Sequence, residues 1–525
     1  MEKAKQTLRD SAAMRWLMLV LVSGLMLGTY WFQDFFSGLK GLMESQMGFT
    51  SEEFGRLIGL TTIANMFGMI ILGGMILDKW SIRAAGLLFG GLAALGASIT
   101  ALAAHGFFGE GHQITLTMMI IGRIMFGSGL EVVCVVATRT IVKWFKGYEL
   151  ALAMAINMGF GRLGTAVGMA VSIDIAKGMV APAVSFAATL IGIGLIMFLI
   201  YIVFDLKIDR QDKAAAVGSK EEFKFSDLFK LLKNPSFMYI AFLCLAFYAA
   251  VFPFIQYAPD LLVNKFGFSY DLPTDGSGSV VLFGSTALGN ASVVIAFFLF
   301  GLAFSMVPAN IKKRTGKIIS VVLILALFIL FINSLWDDTL SVWLRNGPKT
   351  ASLIPLGTIL FTPIFGNYVD KKGKAASLMI LGSLLLIFAH VALSVFNNVT
   401  MGYMGLLSLG IAFSLVPAAM WPSVAKIVAE SRLGTAYATM FTIQNWGLGL
   451  FFWGIGAVLD LANKDHLVSI RAGEMVYNYT VPILMLVVCG IVSIFLAYKL
   501  LQSDRKQGFG LELPSGEAGT NSENQ

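Results

Sequence analysis

Four ionisable residues lie inside two adjacent apolar stretches of the chain. Arg123, Glu131 and Arg139 interrupt the run 118–153, and Arg162 interrupts the run that follows it. An ionisable group at bilayer depth costs roughly 2.5–3.5 kcal/mol even on the milder insertion scale, so it is kept only where it meets a partner or a watery cavity. Such residues mark a working site by default. The chemistry they offer is recognition of charge, because a carboxylate suits an ammonium group and a guanidinium fork suits a carboxylate.

Helix geometry places two of these charges at one depth. The turn 144–149 separates the two apolar runs; Glu131 lies 13 residues before it and Arg162 lies 13 residues after it. At 1.5 Å per residue both are about 20 Å from the turn. Two antiparallel helices would therefore hold a carboxylate and a guanidinium near mid-membrane. A structural alternative stays open, in which Glu131 pairs with Arg162 or Arg123 and only orients the helices.

The composition predicts an all-α membrane protein. Of 525 residues, 57% are hydrophobic and only 13% are charged, and apolar runs of about 20 residues, the length of a spanning helix, recur along nearly the whole chain. The three cysteines and four histidines have neither a disulfide framework nor metal-ligand spacing, so we expect no metal and no cofactor. We predict fourteen spans, at 14–36, 55–77, 82–104, 114–143, 149–176, 181–205, 235–263, 281–308, 318–336, 350–369, 375–397, 401–428, 434–460 and 479–501.

A polar, charged stretch at 206–234 divides the chain into two halves. Residues 1–205 carry six spans. Residues 235–501 carry six more, with an inserted two-helix hairpin at about 281–336, and residues 502–525 are predicted to be a disordered tail. Lys and Arg are concentrated in alternate loops, so the positive-inside rule predicts that both termini face the cytoplasm.

Two turns at matching places in the halves share a pattern. GGMILDKWSIRAAG (73–86) follows the second span, and GNYVDKKGKAAS (366–377) lies at the equivalent place in the second half. Each resembles the Gly-x-x-x-Asp-basic loop of the major facilitator superfamily, and GRIMFGSG (122–129) resembles its fourth-span motif, an Arg followed by small residues that let helices approach closely. The resemblance implies two six-helix halves that rock about a central pocket. It implies gating or conformational roles for Gly74, Asp78, Lys79, Arg83, Arg123, Asp370 and Lys371.

Several stretches resemble one branch more closely, the major facilitator superfamily domain-containing protein 1 group of lysosomal dipeptide uniporters. These stretches are TYWFQD (29–34), WFKGYELALA (144–153), GRLGT (161–165), AVFPFI (250–255) and the run 420–449. The hairpin is not part of that group's pattern, and Arg139 stands where the group has an uncharged polar residue. The resemblance implies that Glu131 and Arg162 grip the two ends of a dipeptide. Trp421, Gln444 and Asn445 match the group's second-half motifs and would line the opposite wall.

Other polar residues within the spans complete the predicted substrate site. Tyr30, Asn157 and Tyr248 are candidate contacts, although polar residues in apolar spans more often bond between helices. Arg139 is also a candidate, but it lies nearer the cytoplasmic end and its side chain could reach the interface instead. Asp34, at the outer end of the first span, is either a gate or an interfacial acid.

These patterns predict a secondary transporter that moves small zwitterions, dipeptides above all, by alternating access. An organic-anion carrier that uses Arg139 with Arg162, and a non-transporting sensor on the same fold, stay open as alternatives. No catalytic set or phosphate-cradling loop is found, so we do not expect an enzyme. We expect a monomer in contact with membrane lipid, without nucleic acid, in a bacterial inner membrane rather than a lysosomal one. Proton coupling and an accessory subunit are left open.

Overall fold

The computed structural model describes residues 8–145, 148–212, 225–429 and 432–514. Within these ranges the chain is almost entirely helical, with two isolated β-bridges and no β-strand. The predicted all-α fold class is confirmed. The main helices are α1 Ala12–Asp34, α2 Ser51–Met66, α3 Met69–Trp80, α4 Ile82–Ala104, α5 His112–Phe145, α6 Leu150–Ala176, α7 Val180–Asp212, α8 Phe225–Leu232, α9 Pro235–Phe266, α10 Thr286–Asn310, α11 Arg314–Leu335, α12 Leu353–Lys372, α13 Ala375–Val395, α14 Val399–Ile427, α15 Leu433–Ala462 and α16 Thr480–Gln507.

Twelve helical stretches of the described chain are long and apolar enough to cross a membrane. The pair α2 and α3 makes a thirteenth if it is counted as one span bent by 52°. Helix α6 has 27 residues, and its length of about 40 Å is that of a spanning helix. The count of fourteen spans stays a prediction.

A glycine makes the bend between α2 and α3 possible. Gly68 has φ of 86°, a left-handed conformation that brings the Cβ of other residues against the following carbonyl oxygen. The residues just before it, Thr61, Thr62 and Asn65, face the centre of the molecule. At its other end, α2 begins with a reciprocal cap, in which the Thr50 hydroxyl accepts from the Glu53 amide and the Glu53 carboxylate accepts from the Thr50 amide.

The helices pack as two bundles that meet along two seams. In the first half α1 packs on α6 and α7, and α4 packs on α5; in the second, α13 packs on α14 and α16, and α9 packs on α15 and α16. One seam is formed by α2 and α15, and the other by α6 and α12. Gly456 allows the first seam to be tight, because a Cβ there would lie 2.0 Å from the carbonyl oxygen of Ser51.

The inserted hairpin, α10 and α11, lies against the second seam. Helix α10 packs on both α6 and α12. In contrast, only 6% of the most apolar stretch of the α11 span is buried. Asp174 of α6 accepts hydrogen bonds from Asn290 of α10 at 2.8 Å and from Lys349 at 2.9 Å. Lys349 belongs to the short helix Gly347–Ala351, which precedes α12. One end of the hairpin is thus anchored to both halves.

The structure corrects two boundaries from the sequence. Helix α7 continues to Asp212, so the first residues of the stretch 206–234 extend a helix; residues 213–224 lie outside the described chain. The prediction of a disordered tail from 502 is wrong for 502–514. There α16 runs to Gln507, Leu511 is fully buried, and the Glu512 carboxylate accepts from the amide and hydroxyl of Ser377 at the start of α13. Residues 515–525 lie outside the described chain.

We predict that Gly68→Ala lowers the free energy of unfolding by about 1 kcal/mol. Alanine is strained in the left-handed region, and the lower conformational entropy of its unfolded chain offsets only a small part of that strain. Gly192→Ala is the matched control, since Gly192 is helical and a Cβ there meets nothing within 4 Å. The melting temperature of the purified proteins in one detergent measures both. Equal melting temperatures for Gly68→Ala and the parent would contradict the assigned bend.

Candidate functional site

A cavity of about 280 Å³ lies between the two halves. This volume is close to the lower end of small-molecule sites, about 300 Å³. One end of the bundle carries the end of α5, the start of α6 and the end of α7, and we call it the linker face. The cavity wall includes Met158, which is 63% exposed and lies eight residues from this end of α6. The cavity is lined by Tyr30, Gln33, Asp34, Thr61, Thr62, Asn65, Gly127, Leu130, Glu131, Met158, Arg162, Tyr248, Phe252, Trp421, Phe441, Gln444, Asn445, Leu448 and Phe452.

Glu131 and Arg162 both line this cavity, from the neighbouring helices α5 and α6. Each lies about 20 Å from the linker-face end of its helix. Among the described residues, neither the Glu131 carboxylate nor the Arg162 guanidinium has a hydrogen bond or an ion pair, either with the other or with a third side chain. The alternative in which the two residues form a structural pair is therefore wrong for this conformation.

Aromatic rings of the second half support the Arg162 guanidinium. Its central carbon lies 4.4 Å from the ring centre of Phe413 and 5.8 Å from that of Phe252. A ring face attracts a guanidinium cation electrostatically, and this contact does not use the N–H donors of the guanidinium. The donors of Arg162 therefore stay available for an anion in the cavity.

The opposite wall of the cavity is aromatic and amide in character. Trp421 stacks on Phe441 at 4.9 Å and donates from its indole N–H to the Tyr248 hydroxyl at 3.0 Å. Gln444 and Asn445 lie on the next helix, where the Asn445 amide nitrogen donates to the Phe441 carbonyl. The three residues predicted for this wall, Trp421, Gln444 and Asn445, reach the cavity, as does the candidate contact Tyr248.

Tyr30 and Asp34 reach the cavity from α1. Asp34 is 6% exposed and accepts hydrogen bonds from Thr165 at 2.6 Å and from Gln256 at 2.7 Å. Thr165 belongs to the first half and Gln256 to the second. Asp34 therefore bonds both halves at the end of the cavity away from the linker face, which favours a gate over an interfacial acid.

Two predicted substrate contacts, Arg139 and Asn157, lie outside the cavity wall. Arg139 is exposed. It lies eight residues after Glu131, which places it roughly two turns closer to the linker face and roughly 80° further around the helix. Asn157 is buried and its side-chain oxygen accepts from Ser23 at 3.0 Å. It lies five residues before Arg162, roughly 140° around the helix, and so faces α1.

Arg123 is enclosed by protein rather than by the cavity. It is fully buried and donates to the carbonyl oxygen of Phe32 at 3.0 Å and to the side chain of Gln33 at 3.1 Å. Three rings, those of Phe32, Phe36 and Phe126, lie within 5.6 Å of its guanidinium carbon. These contacts join α1 to α5 within the first half, as expected for a structural role.

The predicted motif turns lie at the linker face. Arg83 donates to Asp205 at 2.8 Å and also pairs with Asp209, and Lys143 pairs with the same two carboxylates at 2.7 Å. These acids belong to α7, so in this conformation Arg83 pairs within the first half, and its gating role stays a prediction. The acids stand four residues apart in DLKID, a spacing that sequence reasoning overlooked. Gly74 lies in α3, Lys79, Asp370 and Lys371 are exposed, and the side chain of Asp78 lies outside the described part.

An ionic cluster that sequence reasoning missed seals the face opposite the linker. Lys40, fully buried, donates to Glu44 at 2.6 Å and to Asp260 of the other half at 2.8 Å. Tyr270 and Tyr479 also donate to Asp260. We call Lys40, Glu44, Asp260, Tyr270 and Tyr479 the ionic seal. The only sequence signal was a Lys and an Asp near span ends.

A second bond network joins the halves beside the ionic seal. Asp460, near the end of α15, accepts from the backbone amides of Ser51 and Glu52 at 3.3 and 2.7 Å. These amides open α2, where a negative charge is favoured by the helix dipole. Tyr477 donates to Glu44, and burial raises the pKa of the Tyr477 phenol to about 12, so it stays protonated.

Residues 22–346 match the sequence model of the Major Facilitator Superfamily. The chain belongs to this superfamily. Like other members of the Major Facilitator Superfamily, it is a multi-pass membrane protein and a secondary transporter, and the superfamily expected from its motif turns is confirmed.

Relatives in the superfamily include two lysosomal dipeptide transporters named MFSD1. The chain is 26% identical to that of Danio rerio over 463 residues, which are 85% of this chain and 81% of the relative. It is 25% identical to that of Homo sapiens over 460 residues, 85% of this chain and 80% of the relative.

Solved structures of transporters share the fold. The nucleoside transporter NupG is 13% identical with a TM-score of 0.54, over 93% of this chain and 99% of that one. The inward-open xylose transporter XylE from E. coli is 11% identical with a TM-score of 0.54, over 93% of this chain and 96% of that one.

We predict that Asp260→Asn opens the sealed face, because removing one partner leaves the buried Lys40 ammonium short of negative charge. Breaking a buried ion pair costs about 3–5 kcal/mol, less here since Glu44 stays in contact. Spin labels at Glu110 and Glu474, exposed positions on the two halves at this face, measure the gap by double electron–electron resonance. A longer-distance population is expected in Asp260→Asn and absent in the control Asp465→Asn, which alters an exposed loop acid. Identical distance distributions would count against the ionic seal.

Proposed function

We propose that this transporter carries small zwitterions, with dipeptides as its substrates. The observation that supports this most directly is an acid and a base in one cavity, Glu131 and Arg162, that have no ion-pair partner in the part of the chain that the structure describes. A dipeptide supplies an ammonium group for the first and a carboxylate for the second, and each contact is a charge-assisted hydrogen bond. The substrate named for the relatives agrees with this chemistry.

Alternating access is the mechanism we propose for the cycle. The ionic seal and the hydrogen bonds from the Ser51 and Glu52 amides to Asp460 close one face. The cavity extends toward the linker face at Met158. Substrate would enter or leave from the linker face in this conformation. The ionic seal must separate for access from the opposite side, while Arg83 and Lys143 keep the first half intact as a rigid unit.

The rival organic-anion carrier loses its main support from the geometry. It needs Arg139 and Arg162 in one cavity, and Arg139 lies outside the wall while Glu131 lies within it. A carboxylate in the site repels an anion that brings no cation. We propose a carrier rather than an enzyme or a sensor, and flux is the measurement that separates these classes.

The finer assignments of location are also proposals. We place the chain in a bacterial inner membrane as a monomer, with both termini and the linker face in the cytoplasm. The basic loop 310–317 joins α10 to α11 and then faces the cytoplasm too, as the positive-inside rule requires. Accessibility of tags at the two termini in intact cells tests this orientation.

We predict that Glu131→Gln and Arg162→Gln each reduce dipeptide uptake about 10-fold to 100-fold. The reason is the loss of a charged hydrogen bond, about 1.5–3 kcal/mol. Uptake of radiolabelled alanyl-alanine into proteoliposomes measures the effect. Glu474→Gln and Arg471→Gln are matched controls, because both residues are exposed in the loop before α16, and they should transport at the parental rate.

Competition in the same liposomes separates the rival functions. For a dipeptide carrier, alanyl-alanine competes, whereas its N-acetyl and C-terminal amide derivatives, each lacking one charge, compete poorly. Stronger competition by succinate would favour the anion carrier. Binding of alanyl-alanine without uptake would favour the sensor, and full uptake in both Gln variants would refute the assigned roles of Glu131 and Arg162.

A further inference from the structure

Phe413 lies directly behind the candidate carboxylate-binding residue but outside the cavity wall. It is 1% exposed on α14, and its ring centre is 4.4 Å from the guanidinium carbon of Arg162 on α6. The residues that line the cavity do not include it. Phe413 therefore does not touch a molecule in the cavity, and any effect it has on binding passes through Arg162.

Neighbouring rings hold Phe413 in place. Phe252 lies 5.3 Å from it at 83° and Tyr248 lies 6.3 Å from it at 86°, both edge-to-face arrangements. Phe252 and Tyr248 are in turn stacked on each other at 5.3 Å. Edge-to-face pairs each stabilise a fixed ring orientation. The guanidinium thus rests on a rigid surface rather than on a mobile side chain.

Arg123 and Arg162, which both lie within helices of the first half, differ in what satisfies them. Arg123 has three rings and two oxygen acceptors around it, and these fix it within the protein. Arg162 has two rings and, among the described residues, no oxygen acceptor. Rings can orient a guanidinium while all its N–H donors remain unused. Arg162 is therefore held in place but left chemically open.

We propose that Phe413 is the positioning residue for Arg162, setting the guanidinium for the substrate carboxylate. This role rests on the proposed function. An arginine side chain loses rotamer entropy when it is fixed, and a ring that fixes it beforehand removes that cost from binding. The contact also joins α6 of one half to α14 of the other. The arginine is positioned only while the halves keep this arrangement, so carboxylate binding depends on the conformation of the carrier.

Fluorinated phenylalanines at position 413 test the role without changing the shape of the ring. Each added fluorine weakens the attraction of the ring face for a cation, whereas packing changes little. We expect the Kd for alanyl-alanine to rise stepwise across mono-, di- and trifluorophenylalanine, to a total of about threefold to tenfold. Phe413→Leu should raise KM by a similar factor and change maximal uptake by less than twofold. The same series at Phe237, which is fully buried and has neither a cation nor another aromatic ring against it among the described residues, is the control and should be flat.

Two further measurements separate this role from packing and from the proposed function. In the Arg162→Gln background Phe413→Leu should have no added effect on Kd, because both changes remove one interaction. The C-terminal amide of alanyl-alanine should bind equally to the parent and to Phe413→Leu. A flat fluorine series in a protein whose parent binds alanyl-alanine overturns the role of Phe413 alone. A parent that binds no dipeptide overturns the proposed function and this role together.

Discussion

The constraint on which the site depends is that one acid and one base inside the helix bundle do not neutralise each other. A charge removed from water costs several kcal/mol, and a bundle normally compensates by pairing it. Lys40 and Arg123 follow that rule, with two carboxylates around the first and two acceptors around the second. Among the described residues, Glu131 and Arg162 have no such partner. A cavity that admits water or a solute of complementary charge can compensate them, which is why the cavity and the charges have to be explained together.

The depth of the two charges could be predicted from the sequence, whereas the direction of several other side chains could not. Depth follows from a fixed rise per residue, so Glu131 and Arg162 were placed correctly by counting from one turn. The direction of a side chain follows from how its helix is rotated against the neighbouring helices. The sequence of one helix alone does not contain that rotation. Arg139 and Asn157 lie on the same two helices and point elsewhere for this reason. The cavity wall formed by Trp421, Gln444 and Asn445 of the second half was predicted only through a family resemblance.

Long-range pairs were the larger omission. Lys40 and Asp260 are 220 positions apart, and neither has a local pattern that names its partner. Arg83 pairs with Asp205 and Asp209 of its own half, 122 and 126 positions away. The segment after Gln507 reads as polar tail, but Glu512 finds free amide donors at the start of α13. In each case the pairing is decided by tertiary packing, which a one-dimensional pattern does not contain.

The two faces of the molecule differ in how their charges are used. At the linker face, Arg83 and Lys143 bind acids of the same half, so those ion pairs survive any rocking of one half against the other. At the opposite face, Lys40 and Asp260 bind across the halves, and Lys349 with Asn290 binds Asp174 across the second seam. Opening that face must therefore break desolvated charge contacts at both seams at once. The hairpin contributes Asn290 to one of these contacts, so its insertion adds resistance to the step that exposes the cavity to the far side.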